Sequence, residues 1–339
     1  MGRGDKAEHS TYVSEHDSET LLAAVAAGAA NPNAGIFGAD SLSWKINRES
    51  ALFLGAGRAA LLQLAHPWVA AALAEHSTVI NRPIARFHNT FRIVFSMIFG
   101  SLEQALAAAR HLYALHAQIR GELPADVARW KRGSRYEANE IGALRWVYAT
   151  LVESAVLAYD CVLPALTVAE REQYYAECIT LAGLFGLPAL ALPESWEAFA
   201  MFNRQMHESD DLGVSDAARA MAHYLLRGAG SWLRPPHWYR TLTTEWLPER
   251  FRAEFRFDFG VAEQQSAAQA RRFLPAIYRR LPSGIRFTGP WYEAQARLAG
   301  RRVGALTRWS NRFWIGQDLL PFAEGIPLRP ERSGSTIAK

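Results

Sequence analysis

Cysteine is nearly absent from the 339 residues: only Cys161 and Cys178 occur, each in an apolar stretch with helical character. Two thiols cannot build a disulfide framework or a cysteine-rich zinc site, and without a CxxCH run no haem is attached covalently. They read as reduced, buried thiols of a cytosolic protein. A charged-then-apolar N-terminal leader with a cleavage site is also missing, which supports the same cytoplasmic expectation. The most apolar window, 51–74, is interrupted by Arg58, Gln63, His66 and Pro67, so a transmembrane span is not expected. Excess charge is small, at +4, and the arginines are interleaved with alanine, leucine and acids, which leaves no basic arm for nucleic acid. A pI of about 9.1 fits an anionic cofactor or partner without specifying one. GxxxxGK[ST], HExxH and GxSxG runs are lacking, so P-loop, zincin and hydrolase chemistries have no support. Gly55-Ala-Gly57-Arg58 has part of a dinucleotide-loop spelling but no preceding strand and no third glycine.

What is present is a core-forming chain. Half the residues are hydrophobic and 21% are charged, enough for one large folded domain. From Trp44 onward apolar residues recur three and four apart, and no alternating strand-like run is found. Helices are expected over 138–163, 168–186, 194–209, 214–227, 239–255, 261–281 and 288–314. Breaks are expected at Gly55–Gly57, His66-Pro67, Asn81–Pro83, Gly100-Ser101 and Gly121–Arg135. The fold class is all-α: a single helical domain over 35–328, a flexible segment 1–34 carrying one loosely held helix, and a flexible tail 329–339.

Five of the ten histidines cluster in sequence: His66, His76, His88, His111 and His116. Imidazole is a versatile ligand for haem and other metals, although each of these, taken singly, also reads as a core or surface histidine. His66 precedes Pro67 and so leaves the regular helix ladder. The run NRPIARFHNTFRIVFSMIFG (81–100) suits a helix with Pro83 in its first turn and Asn81 as cap. Arg86, Asn89 and Thr90 then share a face that continues into Ile93, Val94, Met97 and Ile98, while His88 points away. Such polar groups need a partner, either a carboxylate from another helix or a bound cofactor. The apolar run 91–99 is compatible with peripheral contact with a membrane, but burial in a core accounts for it better. His111 and His116 are five apart and face different sides of one helix. His116 follows the ridge Leu112, Leu115 and Ile119 and lies one turn before Arg120-Gly121, where a flat ring has room to approach.

The ordered runs GAGRAALLQLAHPWVAAALAEHS, RFHNT, HAQIRG, RYEANEIGALRWVYATLVES, LPERFR and RRLPSGIRFTGPWYEAQAR resemble the MpaB-type and rubber-oxygenase (latex clearing protein) family from about Trp44 to Arg297. The resemblance implies an all-helical domain enclosing a non-covalent haem b and acting as an oxygenase. By motif order it makes His116 the proximal iron ligand and places Arg86 and Thr90 on the distal side. The family's distal lysine is Asn89 here, which removes one sixth ligand and implies water or an open position. The family's WVHATL run reads WVYATL, with Tyr148 in place of histidine. The glutamate assigned as base in rubber cleavage has no matched position; Glu75 is near in sequence, but the role does not carry over. Arg58 and Arg92 are further candidates for the propionates, and Trp146 with Tyr148 for walling the ring.

The expected function is therefore a haem-b-dependent oxygenase using dioxygen on an apolar small molecule, with Arg86, Asn89 and Thr90 at the reacting face and His116 as iron ligand. A haem-binding sensor or carrier without turnover, and a di-metal or structural helical protein using His66, His76 and His116, are the alternatives. The oligomeric state does not follow from the sequence.

Overall fold

The computed structural model describes residues 11–76, 83–228 and 234–321. The described elements are α1 (Glu15–Gly28), α2 (Leu42–Asn47), α3 (Leu52–Leu64), α4 (Pro67–His76), α5 (Pro83–Phe99), α6 (Leu102–His116), β1 (Arg120–Glu122), β2 (Arg135–Glu137), α7 (Ile141–Val162) and α8 (Val168–Gly183). They continue as α9 (Trp196–Glu208), α10 (Asp216–Leu226), α11 (His237–Glu245), α12 (Glu249–Glu254), α13 (Val261–Tyr278), α14 (Ser283–Arg286), α15 (Gly289–Leu298) and α16 (Ala305–Ile315). The architecture is all-α, as the 3.6-residue period implies, with one addition. The break expected over Gly121–Arg135 holds a small antiparallel hairpin in which Gly121 faces Tyr136.

The long α7 organises the domain. Glu140 caps its first turn by accepting from the Ala143 N–H, and Trp146 and Tyr148, about 200° apart around the axis, point into two different cores. Trp146 joins Leu61, Leu62, Phe251 and Phe255, while Tyr148 joins Trp44, Phe95, Phe99 and Tyr175. By length and composition alone α7 is apolar enough to cross a bilayer, yet more than half of it is buried inside the protein. Its closest neighbour is α3, and Gly55 makes that approach feasible. A Cβ there would strike the Ser154 carbonyl, and one at Gly57 would meet Thr243 and Tyr239 of α11 at 3.0 Å. The Gly-Ala-Gly run is thus a helix-packing device, within α3 rather than in a loop.

Other expectations change in detail. The helix expected over 239–255 is cut at Leu247-Pro248 into α11 and α12, and that over 288–314 at Gly300, whose φ is +63°, into α15 and α16. The helix placed in the loosely held segment 1–34 is α1; its Ser14 capping box is complete and Leu22 is 2% exposed, so it belongs to the core. Residues 1–10, the cap expected at Asn81 and the tail after 328 lie outside the described residues.

Candidate active site

α5 and α6 form an antiparallel hairpin closed at Gly100-Ser101. Ser101 accepts from the Gln104 N–H, and the Gln104 side chain accepts from the Ser101 N–H, which fixes the start of α6. Ala105, Ala108 and Ala109 are small and buried, so the two helices approach closely at this end. Burial then changes along the hairpin. Every α5 residue from Phe95 to Phe99 is buried and none from Ile84 to Val94 is; on α6, no residue after Ala109 is fully buried.

The open end of the hairpin carries the polar groups. Its antiparallel register brings Arg86 near His116 and Arg92 near His111. Burial first, and the Arg86 charge second, hold the His116 imidazole down at about 4. Burial alone pulls the Arg86 guanidinium below its usual value. Arg86 is nevertheless exposed and His116 only half-buried. Both side chains therefore keep open surface at this end of the hairpin. Among the described residues the side chains of Arg86, Asn89, Thr90 and His116 have no hydrogen-bond or ion-pair partner. His111 lies beside them with a buried, unpartnered Nδ1.

The model of the family described as ER-bound oxygenase mpaB/B'/Rubber oxygenase, catalytic domain, matches residues 44–287. The chain belongs to this family. Neither the curated proteins nor the solved structures contain a match to it.

Within this mpaB/rubber-oxygenase domain, four candidate groups sit away from the open end of the hairpin or are engaged by protein. Arg58 donates to Trp246 O at 2.9 Å, Ser154 Oγ at 2.9 Å and Glu153 Oε2 at 2.6 Å, tying α3 to α7 and to the end of α11. Arg92 donates through Nε and Nη2 to the Ile315 carbonyl at the end of α16. Trp146 is fully buried and donates to Leu62 O; Tyr148 donates to Cys178 O at 2.6 Å. His88, turned away from Arg86, donates from Nε2 to the Phe313 carbonyl at 3.0 Å. His66 ends the α3–α4 kink between Trp68 and Trp130, and His76 donates to Arg120 O at 3.1 Å.

The room expected for a flat ring beside Arg120-Gly121 is instead filled by the Tyr136 hydroxyl and Glu75. A Cβ at Gly121 would come within 2.8 Å of Glu75 Oε2, which accepts from the Tyr136 hydroxyl at 2.6 Å. This contact pins the β-hairpin to α4. An open cleft of about 830 Å³ lies next to it and is walled by Glu75, Glu122, Asp126, Asp216 and Glu254. Its arginine, Arg250, is engaged by Glu254 and by the His207, Ser209 and Leu212 carbonyls, so this cleft lacks the unpartnered cation found on α5.

Proposed function

We propose that the chain is a haem-b-dependent oxygenase acting with dioxygen on an apolar small molecule, with His116 as the proximal iron ligand. The observation that carries this reading is the pair Arg86 and His116, without protein partners among the described residues and near enough across one helical hairpin for the Arg86 charge to act on the imidazole. A guanidinium with no carboxylate partner is free to bind an anion, and haem brings two propionates. A neutral imidazole offers its lone pair to iron, and a pKa of about 4 keeps His116 neutral at physiological pH. One such ligand suffices for haem, whereas a di-metal centre needs several. Among the described residues no three His, Cys, Asp or Glu side chains converge.

Bound haem would supply the binding and activation of dioxygen. The part left to the chain is orientation and exclusion. Arg86 holds negative charge at the open end of the hairpin, and Thr90, one turn along the same face, has a free hydroxyl to donate. Asn89 can donate a hydrogen bond from its amide but brings no ammonium charge and no strong ligand, which keeps that side open. Ile93 and Val94, both only partly buried, continue the face as an apolar wall suited to an apolar substrate.

Expression with ample haem tests the reading. A Soret band is expected in the parent protein and in His111→Ala, and its loss in His116→Ala; a parent protein that never acquires the band sinks the proposal. Dioxygen consumption with an electron donor then separates an oxygenase from a carrier.

A further inference from the structure

Helix α16 has two apolar faces, and the protein uses one. On the inner face Asn311 and Ile315 are buried and Trp314 stacks on Phe53 with ring centroids 4.2 Å apart. This face is anchored by Glu293, which accepts from Asn311 Nδ2 at 2.6 Å and from the Leu320 N–H at 3.0 Å. On the outer face Leu306, Trp309 and Phe313, three and four positions apart, are 85%, 69% and 50% exposed. Three large apolar side chains sharing one stripe differ from the scattered exposed apolar residues normal on a surface.

The charge beside the stripe has one sign. Residues 289–321 contain five arginines and two acids, and one of these acids, Glu293, is buried. Arg312 pairs with the other, Asp318, and Arg297 donates to the Asn33 and Phe99 carbonyls. Arg301, Arg302 and Arg308 are exposed, with no carboxylate within 4 Å among the described residues. A second copy of the chain would bring the same arginines face to face, which like-charge repulsion opposes. An extended anionic surface with an apolar interior complements both features at once.

We propose that the outer face of α16 docks on the surface of an anionic lipid bilayer. Leu306, Trp309 and Phe313 enter the interface while Arg301, Arg302 and Arg308 meet the headgroups. The inner face stays latched to α5 through His88 and Arg92, so docking holds the helix that carries Arg86 beside the lipid. The proposal does not depend on the cofactor or the reaction. It also differs from the contact considered for 91–99, a run now seen to lie partly or fully inside the protein.

Co-sedimentation of the full chain with vesicles tests it. Binding is expected to vesicles of phosphatidylcholine with roughly one-third phosphatidylserine, to be weak to phosphatidylcholine alone, and to fall as salt rises. Combined Leu306→Gln, Trp309→Gln and Phe313→Gln should lower partitioning by about tenfold or more, as should combined Arg301→Gln, Arg302→Gln and Arg308→Gln. Circular dichroism melts matching the parent would show that the fold is kept. If the apolar variant does not fold, the arginine variant decides. Absent binding to the anionic vesicles, equal binding by the variants, or a dimer that Trp309→Gln dissociates would each overturn the proposal.

Discussion

Arg58 and Arg86 are both arginines on helices of one domain, yet their surroundings assign them opposite roles. Arg58 meets a carboxylate, a hydroxyl and a carbonyl, so Arg58→Met strands Glu153 and should cost about 3–5 kcal/mol, read as a lowered denaturant midpoint. Arg86 meets no protein partner. Arg86→Met should therefore leave the ligand-free midpoint unchanged or raised, while weakening haem uptake about tenfold or more in a titration of the Soret band. His66 carries a pH dependence. Burial lowers its pKa from 6.5 to about 4, so between these values the unfolded chain takes up a proton that the folded one refuses. Stability then falls as pH drops from 6.5 toward 4, by about 3 kcal/mol from this group. His66→Phe should lose that part of the acid destabilisation when urea midpoints at pH 7 and 4.5 are compared. At this scale the sequence was legible where spacing decides orientation: Arg86, Asn89 and Thr90 share a face, and His88 turns away. It was not legible where a partner comes from a distant element. Arg58 finds Trp246 and Arg92 finds Ile315 only after folding, and nothing local marks either arginine as already engaged.

At the scale of elements, the same Gly-Ala-Gly run shows how a local spelling acquires its meaning from packing. Gly55→Ala would drive a methyl group into the Ser154 carbonyl, so α3 and α7 must separate. A loss of about 1–3 kcal/mol in denaturant unfolding is expected, whereas Gly133→Ala, which meets no atom within 4 Å, should lose stability only through its φ of +81°. Helix positions followed from the apolar period, and in the structure Ser101 and Thr167 cap α6 and α8. The β-hairpin escaped because strands of three residues are too short to show alternation. The divisions at Pro248 and Gly300 escaped because the apolar pattern runs on across both.

At the scale of the whole molecule, the α5–α6 hairpin is packed at one end and only partly buried at the other, so a ligand bound at the open end should stabilise the entire cooperative unit. Haem at a hundredfold excess over its dissociation constant should add about 2.7 kcal/mol, seen as a raised melting temperature in the parent and not in His116→Ala. The latch between α16 and α5 has a consequence in time. The family match ends at residue 287, but the ring cluster of Phe53 on α3 with Phe87 and Phe91 on α5 gains Trp314, which stacks on Phe53, only later in the chain. Synthesis proceeds from the N-terminus, so a ribosome completes the whole oxygenase domain before the residues that cover those rings have been made. Until Glu293 fastens Leu320, the newborn chain has a greasy flank that a chaperone or protease can recognise. A chain released early, at the family boundary, would keep that flank for good.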